Sequence, residues 1–596
     1  MRKTKILATL GPACNNVEAM KQMIANGMDA ARINCSHSFG EARLATVNML
    51  KQARKEMGKP IALVLDTKGP EIRTKAFEND KVYLEQGMEF TLTTQDIVGD
   101  ETRVAVTYKD LPNDLRVGNR VLFDDGLIEM KVAAINGTEV TCVLINSGFL
   151  GSRKGINIPD VAVNLPSLTE QDVEDIKFAI REEFDFIAAS FVRTSGDIVN
   201  IRKVLDASGG EHIRIIAKIE SRDGVDNLES ILEIADGVMV ARGDLGVEIP
   251  PEEVPIVQKS MIRSCNMMGK PVITATHMLE SMVMNPRPTR AEANDVANSI
   301  HDGTDVVMLS GETAYGKYPV EAVSMMARIA ITIEETIDYS SNSLYRNINK
   351  NITNTMSNAG VVTAADLGAS CIVPITDSGF VARMVARSRP TCPILAVTNN
   401  DFVCRQLNLS WGCIPVLSGK PFEGDSEVFD IAEEMAVKTG LAKDGDIIVA
   451  MAGVPVGIAG TTNTIRVRTV GNVLAKGKGN KMGIKRGITR LFTNSADDER
   501  TFFERGDIVV CTQTDDSMLE QLKFAGALVV GTWEKVDQNH AETVAKALEI
   551  PMLRVKVRVV DFVKSGIPVT VDTDKGLLIN GYKNLEERKN GGSNPA

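Results

Sequence analysis

Ile213-Arg-Ile-Ile-Ala-Lys-Ile-Glu220 and Gly237-Val-Met-Val-Ala-Arg-Gly-Asp-Leu-Gly246 decide the fold. Each opens as a short, near-continuous apolar run and then turns to charge. Such a run fits a strand buried on both faces, as in a parallel sheet. Six more stretches read the same way: Ile6–Leu10, Ala30–Asn34, Ile61–Asp66, Asp185–Ser190, Pro271–Ala275 and Thr304–Leu309. Helical patterns alternate with them, among them Glu18–Ala25, Glu41–Glu56, Glu170–Arg181, Val254–Met268 and Arg290–His301. Eight strands alternating with helices are the number that closes a (β/α)8, or TIM, barrel. The predicted class is therefore α/β, with the barrel on residues 1–69 and 166–340.

The alternation breaks at 70–165. Phe90–Thr94, Val104–Thr107, Arg120–Phe123, Leu127–Ala133 and Glu139–Ile145, separated by turns such as Asn136-Gly137, predict an antiparallel β-barrel module. Inserted after strand three, it can overhang the barrel's C-terminal mouth. A second α/β domain is expected on 341–473, with strands at Cys371–Ile375, Pro393–Val397, Cys413–Val416 and Ile447–Met451. Lys476-Gly-Lys-Gly-Asn480 reads as a linker. It opens a β-rich domain on 474–596 with strands at Asp507–Cys511, Ala527–Val530, Ile550–Leu553 and Pro568–Val571, and a disordered polar tail from Glu586.

A chain of 596 residues accommodates this at about 150 residues per domain. Apolar residues at 43% and charged ones at 24% exclude a disordered or collagen-like chain. The net charge of −11, with no opposing run of Lys or Arg, argues against nucleic acid or an acidic membrane surface as partner. The nine cysteines include no CxxC pair, and five His add no zinc pattern, so they read as reduced core thiols of a cytoplasmic protein. The basic Met1–Lys5 precedes too short an apolar stretch for a signal peptide. The apolar run 447–460 contains Pro455 and cannot span a bilayer.

In such a barrel the loops after the strands build the active face. Strand two leads into Arg32-Ile-Asn34-Cys-Ser36-His37, and strand three into Asp66-Thr67-Lys-Gly-Pro-Glu71-Ile-Arg73. Strand five ends in Lys218-Ile-Glu220, six in Arg242-Gly243-Asp244, seven in Thr274-Ala-Thr276-His277 and eight in Ser310-Gly-Glu312. A lone Lys-x-Glu is usually an exposed ion pair, but polar residues ending so many strands of one barrel are hard to explain as structure. Glu220 and Asp244 on adjacent strand ends, without His or Cys, suit a hard cation such as Mg²⁺. Arg32, Lys218 and Arg242 converging there describe a site for a phosphorylated anion. Gly243 lets backbone N–H groups approach a carboxylate at a helix start. Asn34, Ser36, Asp66 and Thr67 offer only oxygen and one formal charge, which suits a monovalent cation. The set argues phosphoryl transfer by positioning and charge neutralisation.

These motifs, with Met278-Leu-Glu-Ser-Met282 and Pro286-Arg-Pro-Thr-Arg-Ala-Glu292, make residues 1 to about 473 resemble the pyruvate kinase family. The resemblance implies phosphoryl transfer from phosphoenolpyruvate to ADP, requiring Mg²⁺ (or Mn²⁺) and K⁺, under an inserted lid, in a homotetramer. Carried over, Lys218 would stabilise the phosphoryl group in flight, Glu220 and Asp244 would hold Mg²⁺, and Arg32 would bind the substrate phosphate. Gly243 and Asp244 backbone with Thr276 would take the substrate carboxylate, and Thr276 with ordered water would supply the proton. Asn34, Ser36, Asp66 and Thr67 would hold K⁺, while Asn34, His37, Arg73 and Lys154 would reach the nucleotide. Glu71 stands where K⁺-independent relatives tend to carry Lys, which implies K⁺ dependence. His277 departs from the family's usual Gln.

Thr376-Asp377-Ser378-Gly379-Phe380 is a small-residue loop at a helix start, by itself an ordinary turn or a phosphate cradle. The resemblance implies that it binds a phosphorylated effector, a sugar phosphate or AMP, with Thr461-Thr-Asn463 completing the site. The last segment, through His540-Ala-Glu-Thr-Val-Ala-Lys-Ala-Leu-Glu-Ile-Pro551, resembles the mobile phosphohistidine domain of phosphoenolpyruvate-utilising enzymes. Where that family has Gly-Gly and Thr-Ser before the His, Val536-Asp-Gln-Asn539 stands here, so His540 is expected not to carry phosphate and the domain to be structural or to assemble subunits. Two rival readings are an idle metabolite sensor on the same fold and a phosphocarrier using His540.

Overall fold

The computed structural model describes residues 1–161, 163–339, 351–422, 424–455, 462–492, 500–531 and 539–581. The chain divides into two compact units. One comprises Met1–Val362, Pro374–Val428 and Met451–Thr464, the other Thr363–Val373, Phe429–Ala450 and Ile465–Ala596.

The first unit contains the expected closed barrel. Its strands are β1 (Lys5–Thr9), β2 (Ala30–Asn34), β3 (Ala62–Asp66), β4 (Phe186–Ala189), β5 (Arg214–Ile219), β6 (Gly237–Ala241), β7 (Val272–Ala275) and β8 (Val306–Leu309). Every neighbouring pair is parallel, and β1 closes on β8 through Lys5–Val306 to Ala8–Leu309. Successive residues point to opposite faces. Leu7, Ala62, Val64, Ala188, Ile216 and Met239 fill the inside. Ile6, Ala8, Leu63, Leu65, Ala217, Ile219 and Val240 pack outward with the helices. Both faces are buried, which is why the strands read as continuous apolar runs. The helices start where the chain supplies caps: Thr169 with Asp172 and Thr289 with Glu292 each form a reciprocal capping box.

The insert holds a seven-stranded sheet in the order Ile72–Arg73, Gly155–Asn157, Arg120–Phe123, Ile128–Asn136, Glu139–Leu144, Glu89–Thr93, Arg103–Ala105, beside an antiparallel pair of Lys81–Leu84 with Gly148–Gly151. The expectation of a purely antiparallel module is corrected, because Glu89–Thr93 and Arg103–Ala105 pair in parallel. The stretch 94–102 carries the chain back along the sheet before the next strand begins, which a tight hairpin turn would not do. The two edges of the sheet meet through one bridge, Thr74 to Val106. The module has its own core, including Phe90, Phe123, Met130 and Leu150.

Cys371–Pro374, Ile394–Thr398, Cys413–Leu417 and Ile447–Gly453 are strands as expected, and Ile394–Thr398 pairs in parallel with Cys413–Leu417. Thr462–Thr469 is a further strand the sequence reading missed. Residues 456–461, 536–538 and the tail from Glu586, on which parts of the sequence reading fall, lie outside the described residues.

The second unit holds a closed barrel of Val473–Gly479, Met552–Val555, Ala527–Gly531, Ile508–Cys511, Ile484–Phe492, Pro568–Asp572 and Leu577–Asn580, in that order. Residues 476–479, read as a linker with Asn480, are instead part of its first strand. A Cβ on Gly477 would fall 2.0 Å from the Arg554 carbonyl oxygen, and one on Gly479 2.0 Å from that of Thr573. The glycines permit close backbone approach within a strand and do not mark a flexible joint. Among the described residues, no helix is long and apolar enough to cross a membrane.

Candidate active site

The inner face of the barrel changes character at its C-terminal end. Continuing the inward rows by two residues past Ala30, Val64, Ala188 and Ile216 gives Arg32, Asp66, Ser190 and Lys218, and Glu220 follows Lys218. Pairing of Asn34 with Asp66, Ala188 with Asp66 and Ala189 with Ala217 brings β2 to β5 into register there. Asp66 sits at the centre and is 1% exposed. Its Oδ2 accepts from Arg32 Nε at 2.5 Å, and its Oδ1 from Lys218 Nζ at 3.1 Å and Ser190 Oγ at 3.2 Å. Lys218 Nζ also donates to Ser190 Oγ at 2.6 Å and pairs with Glu220 Oε1 at 2.9 Å. Thr9 Oγ1 accepts from Arg32 Nη1 at 3.0 Å, and Phe191 N donates to Glu220 Oε2 at 2.5 Å.

The electrostatics follow from burial and pairing. Burial alone would raise the Asp66 carboxyl, but Arg32 and Lys218 hold it below its ordinary value. Burial alone would lower Lys218, but Asp66 and Glu220 raise it, so it stays an ammonium. Glu220 is pushed upward by burial and by Asp244, against the pull of Lys218. Two carboxylates repelling each other beside a fixed ammonium have the hard-oxygen chemistry for Mg²⁺, which uses one or two protein carboxylates plus substrate oxygens. Among the described residues, no group of three or more His, Cys, Asp or Glu could hold a metal.

Gly243 N donates to Thr276 Oγ1 at 2.8 Å, so these two expected partners are adjacent. Arg242 is a correction. Its guanidinium donates two hydrogen bonds to the Asp295 carboxylate, one to each oxygen at 2.7 Å, and donates to the Thr276 carbonyl at 2.7 Å and that of Ala275 at 3.1 Å. Asp295, far away in sequence, captures the side chain before it can reach an anion. Arg242 thereby braces Thr276 and His277, both of which hold left-handed backbone at φ 65° and 53°.

Asn34 Oδ1 accepts from Ser36 N at 3.0 Å and Thr67 Oγ1 from Ser190 N at 3.2 Å, leaving further lone pairs on both oxygens. His37 is exposed, with its backbone N–H on the Asn34 carbonyl. Arg73, Lys154 and Asp244 line a cavity of about 610 Å³ whose walls come from both the insert and the barrel. Arg73 donates to Glu71 and, at 2.8 Å, to the Arg153 carbonyl, and Lys154 Nζ donates to Asp124 at 2.8 Å. Ser190, which joins Lys218 to Asp66, was missed. It ends strand four as the other polar residues end theirs, and that rule would have found it.

In the 376–380 loop, Thr376 Oγ1 accepts from Gly379 N at 2.9 Å and Ser378 Oγ from Phe380 N at 3.4 Å, and the Phe380–Arg387 helix follows. Asp377 is exposed. Asn463 bonds both ways with the Val454 backbone, at 3.0 and 2.6 Å. Thr461 lies outside the described residues. In the second unit His540 lies between Thr514 Oγ1, 2.9 Å from Nδ1, and Asp516 Oδ1, 3.2 Å from Nε2. The hydroxyl lacking in the residues before His540 is thus supplied by Thr514.

A buried lysine and arginine at the mouth of a (β/α)8 barrel, clamped by one carboxylate and flanked by an acidic pair, have the chemistry of an enzyme class that binds and transfers a phosphoryl group. Comparison with known proteins narrows the class. Residues 1–323 match the pyruvate kinase barrel domain, 354–468 the pyruvate kinase alpha/beta domain, and 503–576 the mobile domain of PEP-utilising enzymes. A pyruvate kinase of Sporosarcina psychrophila is 43% identical over 98% of this chain and 100% of its own. One from Clostridium acetobutylicum is 47% identical over 79% of this chain and all of its own. The crystal structure of a pyruvate kinase from Cryptosporidium parvum superposes with a TM-score of 0.74 at 37% identity, covering 78% of this chain and 96% of that one. The chain belongs to the pyruvate kinase family, and is an enzyme that transfers phosphate from phosphoenolpyruvate.

Proposed function

We propose that the chain converts phosphoenolpyruvate and ADP to pyruvate and ATP, the last step of glycolysis, in the cytoplasm, with Mg²⁺ and K⁺. The observation that carries this is the buried Arg32–Asp66–Lys218–Glu220 row. Arg32 and Lys218, pre-oriented by Asp66, bind the substrate phosphate. The P–O bond to the enol oxygen breaks, a P–O bond to a β-phosphate oxygen of ADP forms, and the electron pair stays on the enolate. Lys218 stabilises the phosphoryl oxygens during that transfer. Protonation of the enolate carbon then yields pyruvate, with Thr276 and an ordered water as the proposed donor. The substrate carboxylate takes over the Gly243 N–H from the Thr276 hydroxyl. Arg73 and Lys154 meet the nucleotide phosphates.

Glu220 and Asp244 would hold Mg²⁺, whose charge, when bound, neutralises the transferring phosphoryl group. Asn34, Ser36, Asp66 and Thr67 would hold K⁺. A sugar phosphate or AMP at Thr376–Phe380 is the proposed activator, and a homotetramer the proposed assembly. For His540 we propose a structural role, because Asp516 sets a carboxylate beside the nitrogen a phosphoryl group would have to approach. The test is phosphorus NMR of the full chain with phosphoenolpyruvate, ADP, Mg²⁺ and K⁺. Loss of the phosphoenolpyruvate signal with growth of ATP signals, only when ADP is present, is expected. Phosphate release without ATP overturns the reading.

A further inference from the structure

The Arg242–Glu248 helix carries Gly243 and Asp244 near its start and ends in Glu248. Glu248 Oε1 accepts from Asn157 Nδ2 at 2.8 Å, and Asn157 belongs to the insert. Asn157 ends the strand Gly155–Asn157, which pairs with Ile72–Arg73 through Gly155–Arg73 and Ile156–Ile72, and Lys154 immediately precedes that strand. One rigid two-strand ladder thus carries Arg73, Lys154 and Asn157. Arg193 holds the returning chain by donating to the Val163 and Leu165 carbonyls, both at 2.6 Å. Beyond that return, among the described residues, Asn157–Glu248 is the side-chain hydrogen bond that joins the insert to the barrel.

Carboxylates of both parts crowd the contact, with the insert's Arg73 and Lys154 also near. Asp125 of the insert faces Asp244, and burial with that neighbour raises its carboxyl. Glu248 feels Asp223, Asp160 and Asp244, and burial pushes it the same way, with Asn157 opposing. A neutral amide donor is the group that can bridge such a gap without adding charge, and a hydrogen bond to a carboxylate is stronger than one between neutral groups.

We infer that Asn157 and Glu248 are positioning residues: their hydrogen bond sets the distance between the cations Arg73 and Lys154 of the insert and the helix bearing Gly243 and Asp244. This rests on the proposed nucleotide role of Arg73 and Lys154. Breaking the bond lets the ladder drift from the helix, so ADP capture suffers more than phosphoenolpyruvate binding, which uses barrel residues alone.

The experiment compares full-length wild type with Asn157→Ala, Glu248→Ala, the double variant and Glu248→Gln. It measures KM for ADP, kcat, phosphoenolpyruvate affinity, and hydrogen exchange of amides in 70–165. We expect Asn157→Ala and Glu248→Ala each to raise the ADP KM about tenfold, with phosphoenolpyruvate affinity within twofold and faster exchange in 150–157. The double variant is no worse than either single change, and Glu248→Gln, which keeps an acceptor oxygen but loses the charge, recovers most of the ADP KM and of the slow exchange. Additive effects in the double variant, unchanged ADP KM in Asn157→Ala, or a Glu248→Gln variant as impaired as Glu248→Ala overturn the inference. Failure of the nucleotide reading itself looks different: Arg73→Ala and Lys154→Ala then leave the ADP KM at its wild-type value, while hydrogen exchange still reports whether the contact holds the insert.

Discussion

Lys218→Met removes one positive charge from the centre of the row and leaves a side chain of similar length. Lys218 is 8% exposed, and its ammonium is held by three partners, Ser190 at 2.6 Å, Glu220 at 2.9 Å and Asp66 at 3.1 Å. Its position is therefore set before substrate arrives, and little reorganisation is needed when charge develops. A unit charge about 4 Å from a phosphoryl oxygen, at an effective dielectric of about 20, contributes about 4 kcal/mol. Since about 1.4 kcal/mol is a factor of ten in rate, kcat should fall about 10³-fold. Arg32 remains, so phosphoenolpyruvate still binds. The assay is kcat at saturating phosphoenolpyruvate, ADP, Mg²⁺ and K⁺, beside direct phosphoenolpyruvate binding. A variant within tenfold of wild type would refute the assignment of Lys218 to the transferring group.

Three further outcomes are expected. Asp66→Asn leaves Arg32 and Lys218 facing a neutral amide and should destabilise the barrel by about 3 kcal/mol near neutral pH, read by hydrogen exchange of β2, β3 and β5. Because the folded-state Asp66 carboxyl is held below its ordinary value, its contribution is complete above the unfolded carboxylate range and is lost as pH falls through the depressed value, so the gap between wild type and variant should narrow on acidification. Phosphoenolpyruvate should leave no acid-labile phosphate on His540, and His540→Ala should turn over within twofold of wild type; a labelled imidazole would overturn the structural role proposed for it. Of the nine cysteines only Cys392 is not buried, so a thiol reagent should modify Cys392 alone in the native chain, as mass spectrometry of the digested product would reveal.

The barrel was legible because burial on both faces leaves continuous apolar runs, and its chemistry because polar residues interrupt those runs at their ends. Arg32, Asp66, Lys218 and Glu220 all follow that rule, as does Ser190. What sequence could not convey depends on partners far away in the chain. Arg242 looked like an anion ligand until Asp295, fifty-three residues on, took its guanidinium. The Lys476–Asn480 stretch looked like a linker because glycine signals both flexibility and close approach, and only the carbonyls of Arg554 and Thr573 tell which applies. The Asn157–Glu248 contact spans ninety-one residues and has no local signature.

The most direct test of the central claim is the initial rate of pyruvate formation from phosphoenolpyruvate by the full chain, with Mg²⁺ and K⁺, with and without ADP. The account predicts turnover that appears with ADP and falls away without it. Pyruvate released at the same rate in the absence of ADP, or none released even with a sugar phosphate or AMP added, would contradict it.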